Sequence, residues 1–178
     1  MKKILFLFVA MVVSFTINAQ NLNESLGNLE KICEKLQKAI DKAPKDCGVP
    51  EIDNYVNGAK ASAVGAVASA AQLQDFYKRE IGETVDGVTD VTVTKPSLED
   101  WMGLAATIAT QTLGMKEVAE SAETAAKAVK DAPKTKAIGM AKNVKWSGDI
   151  MPVTGEALAE EGKAVNQIIE TLKSGNNL

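Results

Sequence analysis

The chain has 178 residues, a formal net charge of -3 and no histidine, and only 4% of its residues are aromatic. Without histidine there is no Ser-His or Cys-His catalytic pair and no Glu-x-x-His di-iron site. A single arginine, Arg79, and a mildly acidic balance argue against nucleic-acid binding, which needs a concentrated basic face. Because alanine replaces the missing aromatics and buries little area, any core must depend on closely packed helices.

The first residues combine Lys2 and Lys3 with an apolar run over 4–17 and a small residue, Ala19. This order is typical of a secretory signal peptide, and it predicts a signal over 1–19 that is cleaved after Ala19. An uncleaved anchor is the alternative, but the run is shorter than the roughly 20 residues that a span needs. We therefore expect an exported protein, periplasmic or extracellular, and the short, lysine-led form favours a bacterial source.

The first two mature segments carry apolar residues in alternating steps of three and four, which keeps one stripe on one side of an α-helix. They predict helices from Leu22 to Ala43 and from Glu51 to Ile81. The stripe of the second helix consists of Ile52, Val56, Ala59, Ala63, Ala66, Ala70, Leu73 and Tyr77. Since four consecutive positions are alanine, we expect close packing against a neighbouring helix. A membrane span over 61–71 is the alternative, but that run is too short.

Residues 82–96 differ from the rest, because valine and threonine dominate there and Asp86-Gly87 is a tight-turn signal. We predict a long loop or a small hairpin. Long loops are often functional, but a plain connector fits the composition equally well.

The third helix is predicted over 97–132, with Ser97 and Asp100 as a capping box at its start. Its stripe consists of Trp101, Leu104, Ile108, Met115, Val118, Ala122, Ala125, Val129 and Ala132, with Gln111 as the one polar position. Because the stripe is unbroken, the sequence favours one helix over two despite Gly103 and Gly114.

The stripe resumes after Pro133, and Pro152 interrupts the last helical segment. A proline inside a helix kinks or breaks it, so the sequence favours a break at 147–149, with a single kinked helix as the alternative. Residues 174–178 are a loose tail. The prediction is an all-α, elongated antiparallel bundle of about four long, heptad-patterned, alanine-rich helices, forming a single domain over 20–178.

Cys33 and Cys47 are the only cysteines. In an exported chain pairing is the default, so we predict a disulfide, with two independent thiols as the alternative. Two cysteines without histidine are too few for a structural zinc site.

Trp146 lies off the stripe of the last segment. It is a candidate partner contact, although packing over the end of its own helix is the favoured alternative. Paired carboxylates such as Glu160-Glu161 are interpreted as a solvated helix face. We therefore expect no catalytic residue, no metal site and no cofactor.

Two functions remain. The first is an exported, non-enzymatic helical bundle that binds a protein partner or self-associates. The second is a membrane-active or lipid-binding bundle, which the acidic charge disfavours because interfacial helices usually have a basic polar face.

Overall fold

The computed structural model describes residues 19–82, 84–85, 88–89 and 93–175, with side chains over 22–82 and 93–175. The signal peptide predicted over 1–19 therefore lies almost entirely outside the described residues. The same holds for the Asp86-Gly87 turn and for the last three residues of the predicted tail.

Five helices form most of the described chain, which confirms the predicted all-α bundle. Their bounds are α1 (Ala19–Ile40), α2 (Pro50–Ile81), α3 (Leu98–Glu120), α4 (Ala122–Asp131) and α5 (Lys134–Lys173). In the loop between α2 and α3, two-residue strands β1 (Thr84–Val85) and β2 (Val88–Thr89) pair antiparallel.

The bundle is built around α2 and α5, which make its most extensive contact. α1 and α3 each pack against both helices of this pair, and among the described residues their backbones do not come close to each other. α2 and α3 run antiparallel and close together. A Cβ atom added at Gly58 would lie 2.8 Å from Val118, and one added at Gly65 would lie 3.3 Å from Gln111.

The stripe predicted for α2 is the one that the fold buries. From Ile52 to Leu73 every predicted stripe position is buried, and Tyr77 is half-buried. The capping box at the start of α3 is also present. The Ser97 side chain accepts a hydrogen bond from the backbone N–H of Asp100, and the Asp100 side chain accepts one from the backbone N–H of Ser97. Local sequence signals therefore predicted these two features correctly.

Two helix boundaries differ from the predictions. The third helix is not continuous, since a turn at Ser121 separates α3 from α4, and the Ser121 hydroxyl donates to the carbonyl oxygen of Val118. The favoured break at 147–149 is also wrong, because α5 runs unbroken through Pro152. Proline has no N–H group, so Pro152 leaves the carbonyl of Gly148 without its helical hydrogen bond. Both residues are exposed, so water can donate a hydrogen bond to that carbonyl.

Candidate functional site

A group of polar side chains lies in the core where the helices meet. It consists of Ser69 on α2, Gln111 on α3 and Glu161 on α5, here called the polar cluster. Glu161 has no solvent-exposed surface, Ser69 is 3% exposed and Gln111 is half-buried. Burying polar groups at this depth is costly unless they are hydrogen-bonded to one another.

The Ser69 hydroxyl oxygen is surrounded by acceptors. It lies 2.5 Å from Oε2 of Glu161, 3.0 Å from Oε1 of Gln111 and 3.1 Å from each of the carbonyl oxygens of Gly65 and Ala66. The Gln111 amide nitrogen donates to the Gly65 carbonyl at 3.2 Å. A hydroxyl carries one proton, so Ser69 cannot satisfy all of these acceptors at once.

A proton on Glu161 resolves this shortage of donors. Ser69 donates to Oε2 of Glu161 when that carboxyl is charged, whereas a protonated carboxyl donates to Ser69 and leaves the Ser69 proton free for Gln111 or a backbone carbonyl. Burial acts in the same direction and raises the pKa of Glu161 to about 8, although the Ser69 hydrogen bond lowers it in part. The second oxygen, Oε1, has no hydrogen-bond partner among the described residues, which also disfavours a charge there.

Cys33 brings α1 to the same region. Burial, followed by the negative charge of Glu161, raises the pKa of the half-buried Cys33 thiol to about 11. At neutral pH the thiol is therefore protonated and a poor nucleophile. The acidic member of the polar cluster is closed to solvent, so its hydrogen bond to Ser69 is made within the bundle.

The sequence pattern predicts this cluster only in part. Gln111 was recognised as the polar position of its stripe, but the interpretation of Glu161 as part of a solvated face is wrong. Glu160 is half-exposed and pairs with Lys163 at 2.6 Å, whereas its neighbour Glu161 is fully buried. The available signal is the seven-residue spacing of the buried line Ser147, Thr154, Glu161 and Ile168 on α5.

The predicted disulfide is also wrong, because both Cys33 and Cys47 are free. Cys33 lies within α1 and packs against the core, while Cys47 lies in the following loop against a second cluster around Tyr55. The loop is held by the Asp53 carboxylate, which accepts hydrogen bonds from two backbone N–H groups. The nitrogen of Cys47 lies 2.8 Å from Oδ1, and that of Gly48 lies 2.9 Å from Oδ2. Cys47 is thus held at the start of α2, away from Cys33.

Trp146 is half-buried between α5 and α1. Its indole nitrogen donates to the Ala39 carbonyl oxygen at 3.1 Å, so it packs against the end of α1 rather than the end of its own helix. With Leu36 and Ile150 it lines a shallow groove between these two helices. A role for Trp146 as a partner contact remains a prediction.

The outer side of α3 carries a line of exposed apolar residues that the heptad pattern does not predict. It carries Leu98, Met102, Ala106, Ala109 and Leu113, here called the outward stripe, and all five are exposed. Met102 is 50% exposed and Leu113 is 60% exposed. No charged residue occurs in α3 from Trp101 to Met115, so its exposed side is uncharged there, with Thr107 and Thr110 exposed beside the outward stripe.

The neighbouring part of α2 is uncharged too. No charged residue occurs over 61–74, and Val64 is 47% exposed there. The contacts of Gly58 with Val118 and of Gly65 with Gln111 fix the antiparallel register, in which this segment lies level with the uncharged part of α3. One side of the bundle is therefore free of charge across two helices.

Within the described residues, none of the helices combines the length and hydropathy of a transmembrane span, and no three metal-ligating side chains cluster. Comparison with known proteins finds no matching protein family, no matching curated protein and no matching solved structure.

Proposed function

We propose that this chain is an exported, non-enzymatic helical-bundle protein that binds a protein partner or self-associates. The observation that carries this proposal is the uncharged outer side of α3, where Met102 and Leu113 are at least half exposed. Exposed apolar surface of this kind is typical of interaction sites.

Site-specific photo-cross-linking in cells tests the proposal. A photoreactive residue at position 113 should form cross-links to protein, because Leu113 lies in the outward stripe. The matched control is position 138, since Ile138 is 70% exposed but has Lys134 and Lys142 one helical turn away. Cross-linking that is absent at 113, or equal at 113 and 138, would contradict the proposal.

The competing function is a membrane-active bundle in which the alanine-rich part of α2 inserts after opening. It predicts dye release from lipid vesicles, whereas a protein-binding module predicts none. The comparison is made with vesicles of neutral and of anionic lipid, because a chain with a net charge of -3 gains no general attraction to anionic membranes. Release from either type would favour the membrane-active interpretation.

A further inference from the structure

We propose that the corner where α4 meets α5 docks on the surface of a lipid bilayer that contains anionic headgroups. Its six lysines, here called the basic corner, are Lys127, Lys130, Lys134, Lys136, Lys142 and Lys145. The inference goes beyond the proposed function, because it concerns one end of the bundle and not the outward stripe of α3.

Charge is distributed unevenly along the chain. Residues 127–145 contain six lysines and one acidic residue, Asp131, whereas 14 basic and 22 acidic residues lie elsewhere. This segment therefore has a formal charge of +5 in a chain whose net charge is -3. Such asymmetry orients a molecule with its positive end toward a negative surface.

All six lysines are exposed. Lys145 pairs with Asp149, and among the described residues the other five form no salt bridge. The loop over 41–46 reaches this corner, since Asn143 donates to the Lys45 carbonyl oxygen at 3.1 Å. Its two lysines and two aspartates add no net charge. Five ammonium groups of the basic corner are thus available to anions outside the molecule.

The start of α5 places an apolar side chain among these lysines. Lys134, Ile138, Lys142 and Lys145 follow one another in steps of four, four and three, so they lie along one side of the helix. Ile138 is 70% exposed, and Lys134 and Lys142 each lie about 6 Å from it along the axis. At a bilayer surface the apolar side chain can enter the boundary of the acyl chains while the long lysine side chains keep their charges among the headgroups.

α4 extends the positive surface around the corner. Lys127 and Lys130 are three residues apart and therefore lie on one side of α4. Lys130 and Lys134 are four residues apart across the Pro133 turn, so at most about 14 Å separates their Cα atoms. This distance is comparable with the Debye length of about 10 Å at 0.1 M salt. The lysines of both helices therefore act on the same region of a charged surface.

The lysines at the start of α5 do not stabilise that helix. The positive end of a helix dipole lies at the helix start, where acidic residues are stabilising and basic residues are not. The first turn of α5 carries Lys134 and Lys136, contains no acidic residue and has no side-chain cap. A structural role therefore gives no reason for these two lysines, whereas an anionic surface offsets their charge.

The side chains favour a lipid surface over a nucleic acid. Residues 127–145 contain neither arginine nor an aromatic residue, the side chains that make bidentate phosphate contacts and stack on bases. Lysine is a hydrated point charge, which suits diffuse attraction to a charged surface. A phosphate backbone also offers Ile138 nothing apolar to contact, whereas a bilayer interface does.

Co-sedimentation of the purified protein with vesicles measures this docking. The protein should bind vesicles of phosphatidylcholine mixed with phosphatidylglycerol, should not bind phosphatidylcholine alone, and should be released by salt. Each lysine near an anionic surface contributes about fivefold, so Lys134→Gln combined with Lys142→Gln should lower the partition coefficient by at least about tenfold. The matched control combines Lys163→Gln with Lys173→Gln, which changes the net charge equally but lies more than a Debye length away on the same helix, and it should have little effect.

The apolar residue distinguishes a bilayer from a soluble polyanion. Ile138→Ser should weaken vesicle binding severalfold, while Leu113→Ser, which removes an exposed apolar side chain from α3, should leave binding unchanged. Dye should stay inside the vesicles, because docking leaves the bundle closed. Circular dichroism melts establish that the variants are folded, since every substituted position is exposed.

Four results would overturn the proposal. They are the absence of a preference for anionic vesicles, equal loss of binding in the two double variants, wild-type binding by Ile138→Ser, and dye release on binding. Binding to a short DNA duplex that is as tight as binding to the vesicles would assign the basic corner to nucleic acid and overturn it as well. Cross-linking at position 113 is a separate result, because that position lies on α3, so the proposed function stands or fails independently.

Discussion

At the scale of single residues, the contact between α2 and α3 depends on a glycine. A Cβ atom at position 58 would lie 2.8 Å from Cγ2 of Val118, well inside normal contact distance. Valine has one strongly preferred rotamer in a helix, so its side chain cannot easily turn away. The absence of a side chain at Gly58 thus leaves the space that the Val118 side chain occupies.

Gly58→Ala should therefore lower the free energy of unfolding by about 1 kcal/mol, because overpacking outweighs the gain in helix propensity. Gly103→Ala is the matched control in the neighbouring helix, since an added Cβ there would meet nothing within 4 Å. It should raise the free energy of unfolding by about 0.5–1 kcal/mol. Urea denaturation of both variants measures the change in the free energy of unfolding. If Gly58→Ala is stabilising, α2 and α3 are further apart at this point than the structure places them.

The candidate site was only partly predictable from single residues. Gln111 stood out because it is polar within an apolar stripe, but Glu161 follows another glutamate and precedes Gly162 and Lys163, like an ordinary surface position. Its burial follows from how α5 is rotated against α2 and α3, which depends on contacts between distant parts of the chain. The periodicity of the apolar residues alone does not contain that information.

At the scale of elements, the alanine stripe of α2 is a test of close packing. Ala66 has no exposed surface, while Ala68 is exposed on the same helix. Ala66→Leu should lower the free energy of unfolding by about 1–3 kcal/mol, the usual range for overpacking. Ala68→Leu should change it by less than about 0.5 kcal/mol, as is usual for surface positions. Equal melting temperatures for the two variants would contradict the packing described here.

The continuity of α5 gives a second test at this scale. Pro152 removes the backbone hydrogen bond to the Gly148 carbonyl but lies on the exposed side of the helix. Pro152→Ala restores that bond and should raise the free energy of unfolding by about 1–3 kcal/mol. Glu156→Ala, an exposed change one turn further on, should stay within about 0.5 kcal/mol. If Pro152→Ala is neutral or destabilising, the proline has a role in the packing of α5.

At the scale of the whole molecule, the pattern of apolar steps predicted the fold class and the helical segments but not their arrangement. Every segment has one strong stripe, and that is enough to predict a bundle. Which helices become the central pair depends on how much surface each can bury on several sides. α5 buries a broad band of residues that includes Ser147, Thr154 and Glu161. Because these three are polar, a pattern of apolar residues does not predict that they are buried.

The polar cluster links three of the long helices, because Glu161 of α5 meets Ser69 of α2 and Ser69 meets Gln111 of α3. A charge on Glu161 therefore acts on the contacts among these three helices. Between about pH 5.5 and 8 few other groups titrate, since the chain has no histidine. The pH dependence of stability in this range thus reports mainly on Glu161.

The folded protein holds the Glu161 proton up to about pH 8, whereas the unfolded chain loses it near the ordinary value of 4.5. Between these values the folded state binds more protons, so the free energy of unfolding should fall as the pH rises, by up to about 1.4 kcal/mol per unit. Glutamine has nearly the same shape as glutamate but carries no titratable proton. Glu161→Gln should therefore remove most of this dependence on pH, and the variant should melt at a higher temperature than the wild type at pH 8. Glu156→Gln, an exposed change on the same helix, should retain the wild-type slope. Thermal melts of the three proteins from pH 5 to pH 8.5 decide the matter, and a wild-type stability that rises over this range would mean that Glu161 is charged in the core.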